Sequence, residues 1–164
     1  MRFVLIDRLL ELEPGKRAVA QKMFPPTLDV LADHFPGHPL IPGVLITEAM
    51  AQTAGWLLAA TLGFERWPLL CMIHSAKFRR PVEPGEELRL TADIRSMHAD
   101  DYAVDVEAQI AGATVAGARL MFHAFDFSLA TEDRASFEQW SHEIFRDLGG
   151  PALLAANAAG PAPG

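Results

Sequence analysis

Pro36, Pro39 and Pro42 stand at every third position of HFPGHPLIPGVLITEAMAQ, the stretch from His34 to Gln52. Each proline removes a backbone donor and biases its predecessor to extended conformations, so residues 33–42 cannot be helical. An apolar run follows at once. A helix is therefore expected to begin at Pro42 or Gly43, span about 43–62, and end near Gly63, a glycine suited to its C-terminal cap. Apolar residues from Val44 to Leu58 spread around every side of that helix, which predicts that protein encloses it. It is not read as a membrane span, because Glu48 and Gln52 interrupt it and an ionised acid in mid-bilayer is costly.

The rest of the chain reads as strands. Leu9 to Leu12 and Arg17 to Met23 flank Pro14-Gly15, a pair that suits the centre of a type II turn. Residues 3–8 fit a short helix or a lead into the first strand. In ELRLTADI, Leu88, Leu90, Ala92 and Ile94 alternate with polar residues. In YAVDVEAQI, Val104, Val106, Ala108 and Ile110 do the same. Two further strands are expected at about 69–79 and 114–126. One buried helix followed by an antiparallel meander makes the class α+β, in a domain over 1–130. An amphipathic helix is expected over 131–148. Thr131 is its candidate cap, and Phe137, Trp140, Ile144 and Leu148 form its apolar stripe. Residues 149–164 lack periodicity and read as a disordered tail.

Bulk properties narrow the function. A chain of 164 residues with 50% hydrophobic content can bury one sizeable core. Its net charge of −7 argues against a nucleic-acid partner. The lone cysteine, Cys71, excludes an internal disulfide and fits a cytoplasmic protein. Arg2, Asp7 and Arg8 interrupt the N-terminus too early for a signal-peptide hydrophobic region.

The chemistry concentrates in the opening stretch. Glu48 and Gln52 are four residues apart and share a helix face. A carboxyl in a buried helix costs several kcal/mol to ionise unless paired, so it would favour the protonated form and could serve as a general acid. It could equally pair with a core arginine or face a wet rim. His34 is a candidate base, with His38 a competitor. Gly43 falls where a helix N-terminus exposes unpaired N–H groups, which favours developing negative charge. A base, an oxyanion donor and an acid are what proton abstraction beside a thioester carbonyl needs.

HFPGHPLIPGVLITEAMAQ closely resembles the active-site segment of the bacterial type II (3R)-hydroxyacyl-acyl-carrier-protein dehydratases. The similarity continues in LIDRLLELEPGKRAVA and SAKFRRPVEPGEEL, and covers roughly residues 3–128. It implies a hotdog fold, an antiparallel sheet wrapped around a long central helix. It implies that His34 is the catalytic histidine, that Glu48 is the catalytic acid, and that Gly43 binds the thioester carbonyl, with Val44 beside it. Gln52 matches a polar residue that orients the acid. Glutamate rather than aspartate at this place implies plain dehydration, without isomerisation, in fatty acid or lipid A-type acyl chain synthesis.

The resemblance also implies partners. The substrate would ride on the phosphopantetheine of acyl carrier protein, with no metal and no redox cofactor. Lys77, Arg79 and Arg80 in KFRR would dock that acidic carrier, although a basic cluster can also be a solvated strand end. The active site would lie between two subunits of a homodimer, with histidine from one and acid from the other; a trimer of dimers stays open. Met50, Trp56, Met72, Ile73 and Phe78 could line an acyl tunnel or simply pack. The chain departs from the family at Asp33, where glycine is usual, in PPTLDVLAD, and in its extension beyond Thr131. These departures point to a specialised relative. A hotdog thioesterase and a non-catalytic acyl-thioester binder are the rival readings.

Overall fold

The structure is a computed structural model that describes residues 3–32, 34, 37–126 and 131–158. Two strands, β1 (Arg8–Glu13) and β2 (Arg17–Met23), form the first hairpin. Its turn has the type II hallmarks: Gly15 has φ 80°, and Lys16 N–H donates to Glu13 O at 3.0 Å. Residues 3–7 are irregular, with no helix. A short 3-10 turn (Asp29–Ala32) leads into the proline segment, where Asp33, Phe35 and Pro36 lie outside the described residues.

The long helix α1 (Gly43–Thr61) starts where the prolines stop. Pro42 precedes it with φ −54° and ψ 131°, and no side chain caps its start. Its end is a complete Schellman motif. Gly63, at φ 62°, donates to Ala60 O, and Phe64 N–H donates to Ala59 O at 2.9 Å. Four strands follow: β3 (Trp67–Phe78), β4 (Glu87–His98), β5 (Asp101–Ile110) and β6 (Ala113–Phe125). With the hairpin they make one antiparallel sheet in the order β1-β2-β4-β5-β6-β3. This is the expected α+β hotdog arrangement. The alternation in β4 and β5 turns Leu88, Leu90, Val104 and Val106 inward against Met50, Leu57 and Leu58 of α1.

Two expectations need correction. The helix is not enclosed on every side. Val44 is 74% exposed, and Glu48, Gln52 and Gly55 are only part-buried, which leaves a stripe at helical spacing open. The sheet wraps the other faces, and the open stripe lies beside β3, the edge strand. From Leu69 onward β3 is exposed and carries Leu70, Met72, Ile73 and Phe78 outward. A long apolar edge is an aggregation hazard unless something covers it.

The tail is the second correction. After α2 (Thr131–Asp147), residues 150–158 form a further helix, α3 (Gly150–Ala158). It lacks an amphipathic period, but alanine and leucine favour helix and Pro151 falls in the first turn, where its missing N–H costs little. Leu153 and Leu154 pack on the core, and Asn157 Nδ2–H donates to Leu12 O of β1. Residues 159–164 and the Thr131 side chain lie outside the described residues. Among the described residues, no helix is long and apolar enough to cross a membrane.

Candidate active site

Glu48 sits one turn into α1, half-buried, and Gln52 one turn further holds it. The Gln52 Nε2–H donates to Glu48 Oε1 at 3.0 Å. The same amide accepts from Leu5 N–H through Oε1 at 2.7 Å, and donates to Phe3 O at 3.3 Å. One side chain therefore ties the acid to the N-terminal segment 3–5. Backbone-fixed partners on both ends leave the Gln52 amide one orientation, which aims its donor at the carboxyl. Among the described residues, the side-chain partner of Glu48 is Gln52 and not a core arginine.

Gly43 is the first residue of α1, and Val44 beside it is exposed. A Cβ built on Gly43 would meet Phe78 Cζ at 2.9 Å, so the missing side chain lets the Phe78 ring lie against the helix start. Thr47 Oγ1–H turns back to Gly43 O at 2.9 Å and fills the first turn. The N–H groups at such a start have no intrahelical acceptor and carry partial positive charge.

Two clefts between α1 and β3 meet at Glu48. One, of about 460 Å³, is lined by Gly43, Val44, Thr47, Ile73 and Phe78 as well as Glu48. The other, of about 350 Å³, runs past Gln52, Gly55, Trp56, Trp67 and Trp140. Both are apolar apart from the few polar groups at their junction, the composition expected of a ligand site. Of the tunnel candidates, Trp56, Ile73 and Phe78 line a cleft, whereas Met50 is fully buried in the core and Met72 is exposed on the edge strand. Gly55, Trp67 and the N-terminal Phe3 and Val4 escaped the sequence reading. A glycine in mid-helix was the one signal for Gly55.

His34 lies on a bend after the 3-10 turn, with its N–H donating to Val30 O at 3.2 Å. It lines neither cleft that Glu48 lines in the same chain. His38 is exposed. At the far end of β3, Lys77, Arg79 and Arg80 are all exposed. Arg80 closes as a fork on Glu86 at 2.9 and 3.1 Å, and this pairing holds the Glu86 carboxyl below its ordinary range. Arg79 is pinned through its backbone, N–H to Val115 O at 2.8 Å.

Known proteins share this architecture and sequence. The model of the ApeI-like proteins, described as ApeI dehydratase, matches residues 11–117. The 3-hydroxyacyl-acyl-carrier-protein dehydratase FabZ of Syntrophotalea carbinolica is 42% identical over 120 residues, covering 72% of this chain and 82% of that protein. FabZ of Symbiobacterium thermophilum is 48% identical over 96 residues, 58% of this chain and 68% of its own. Among solved structures, the dehydratase heterocomplex ApeI:P from Xenorhabdus doucetiae superimposes with TM-score 0.55 at 24% identity, over 70% of this chain and 96% of that one. The E. coli PaaI protein does so with TM-score 0.59 at 19% identity, over 71% and 78%. These two likenesses speak for the fold, and the sequence matches carry the family: this chain belongs to the hotdog-fold dehydratases, the family of the 3-hydroxyacyl-acyl-carrier-protein dehydratases.

Proposed function

We propose that this chain is a hydro-lyase that converts a (3R)-hydroxyacyl thioester on acyl carrier protein into the trans-2-enoyl thioester, with His34 as base and Glu48 as acid. The observation that carries the reading is the carboxyl of Glu48, held by Gln52 where two apolar clefts meet, in the second turn of a helix that starts at a glycine. The thioester makes the C2 proton acidic, and His34 removes it. The Gly43 N–H stabilises the negative charge that forms on the carbonyl oxygen. Protonated Glu48 gives its proton to the C3 hydroxyl as the C3–O bond breaks. Water leaves, the C2–C3 double bond forms, and proton exchange with solvent resets both side chains. No cofactor is needed beyond the phosphopantetheine of the carrier.

The histidine and the acid act across a homodimer in this reading. Two observations support it. His34 lines neither Glu48 cleft within one chain, and the exposed edge of β3 offers an apolar surface continuous with both. Two copies of one edge strand can pair isologously and remove the hazard that either presents alone. Lys77 and Arg79 serve as carrier contacts at the cleft end of β3, while Arg80 is engaged with Glu86. An exposed free Cys71 is compatible with a reducing cytoplasm.

A single assay tests the reading. The protein is mixed with a 3-hydroxybutyryl or crotonyl thioester, and enoyl absorbance and free thiol are followed together. Enoyl change without thiol release is expected. Thiol release would make the chain a thioesterase, and no change in either would make it a binder. Glu48→Gln and His34→Ala should each lose about 10²–10⁴-fold in kcat while remaining folded.

A further inference from the structure

We infer that Gly55 of α1 and Trp140 of the C-terminal helix α2 set the longest acyl chain accepted by the cleft that runs from Glu48 to Trp140. This rests on the dehydratase reading, which supplies the acyl thioester.

The cleft has a direction. Glu48, Gln52, Gly55 and Trp56 follow one another along one face of α1, so the distance from the acid to Trp56 is about 12 Å at 1.5 Å per residue. Trp56 lies edge-on to Trp67, ring centres 5.4 Å apart, and stacks on Phe145 of α2 at 5.8 Å. Trp67 in turn lies 6.3 Å from Trp140. The three indoles are therefore linked at the end of the cleft away from Glu48. The other cleft starts at Gly43, where the thioester carbonyl would sit, so a substrate reacting at Glu48 has its acyl tail on the Trp140 side.

Gly55 adds an independent observation. Glycine inside a helix costs about 1 kcal/mol relative to alanine. A Cβ built there meets no heavy atom within 4 Å, so packing within the chain does not require glycine. What a side chain at 55 would occupy is the cleft itself. Trp140 stands on α2, beyond residue 117 where the family model ends, and is 42% exposed. The end wall of the pocket is thus part of the C-terminal extension.

The test measures kcat/KM of the full-length protein on 3-hydroxyacyl thioesters of short, medium and long saturated chains. Trp140→Ala should raise the long-to-short ratio by about tenfold or more, and Trp140→Phe should raise it less. Gly55→Leu should lower the ratio by a similar factor while the native mass is kept. If the variants scale all chain lengths alike, or if Gly55→Leu changes the oligomer and not the ratio, the inference is overturned. A second readout separates this pocket from the chemistry. A long-chain acyl thioether that cannot react should quench tryptophan emission in the wild type and bind at least tenfold more weakly to Gly55→Leu. A wild type that dehydrates nothing yet shows this difference would sink the catalytic reading and keep the pocket. Equal binding to both proteins would sink the pocket.

Discussion

Gln52 donates to Glu48 at 3.0 Å while accepting from Leu5 N–H at 2.7 Å, so the orientation of the acid is set by the N-terminal segment 47 residues away from the amide that holds it. The arrangement assigns Gln52 a positioning role. Gln52→Ala should lower kcat by about 10–100-fold with a smaller change in KM, because misplacing a reacting group by an ångström costs on that order. Gln52→Glu keeps an acceptor for Leu5 but loses the donor and sets a second carboxyl beside the first, so its kcat should fall further. Steady-state kinetics on a short thioester decides the matter; KM rising while kcat holds would mean that Gln52 only binds substrate.

Gly43 allows its N–H to be tested apart from its size. Proline is tolerated at the first helical position, and Pro42 already has the extended conformation that a following proline demands. Gly43→Pro therefore deletes the donor with the helix start kept. Gly43→Ala adds a Cβ against Phe78 and keeps the N–H. In a Phe78→Ala background, which removes the collision, the proline variant should be about 10²–10³-fold slower than the alanine variant. Equal rates would remove Gly43 from the oxyanion role.

Much of this was legible in the residues, for reasons that are local. Pro14-Gly15 and Gly63 mark their turn and cap because only certain residues accept those backbone angles. Leu88 to Ile94 and Val104 to Ile110 mark strands because one face is buried. What escaped depends on contacts far apart in sequence. Nothing near Trp67 announces that β3 pairs with β6 rather than with its neighbour β4, and so becomes an edge. Gln52 shares a face with Glu48 by spacing, but its bond to Leu5 needs the fold. Trp140 falls in a helical stripe that reads as ordinary docking until Trp67 is beside it. The α3 helix carries no period to read, only propensity and a place on β1.

Carrier docking is separable within the basic cluster. Lys77 and Arg79 alternate on one side of the β3 end, and Arg80 is closed on Glu86. Reversal of Arg79 to glutamate should raise KM for carrier-borne substrate about tenfold and flatten its salt dependence, since surface charges act mainly on encounter. The loss on a short model thioester should be far smaller. Arg80→Glu should instead lower thermal stability through Glu86. Equal losses on both substrates for Arg79→Glu would refute docking.

Acid stability follows from the outer face of the sheet. Arg17, Asp93, Asp105 and Arg119 stand in one cross-strand row over β2, β4, β5 and β6. Asp105 takes Arg119 at 2.7 Å and Arg95 at 3.1 Å, and the Arg119 hydrogen bond foremost holds its carboxyl below the ordinary range. A carboxyl with a lowered folded value stabilises the fold above the unfolded value of about 3.9, and this is lost as pH falls through the folded value. Asp105→Asn should therefore be less stable than wild type at neutral pH and show a shallower decline below about pH 4 in denaturant titrations. Parallel curves would mean that the row contributes nothing.

Subunit complementation decides whether the site spans two chains. If His34 of one subunit serves Glu48 of its partner, a mixed dimer of His34→Ala and Glu48→Gln chains carries one site with both wild-type groups and one with neither. Co-refolding the two inactive proteins should then restore about a quarter of wild-type activity, because half of randomly formed dimers are mixed and each has one intact site of two. If both groups come from the same chain, every site in every mixture lacks one of them, and activity stays at the level of the single variants. Ile73→Lys on the β3 edge supplies the companion measurement. A charge on that strand should halve the native mass and abolish the recovery, and in a chain with His34 and Glu48 intact it should abolish activity, whereas full activity of that monomeric chain would place the complete site within one chain.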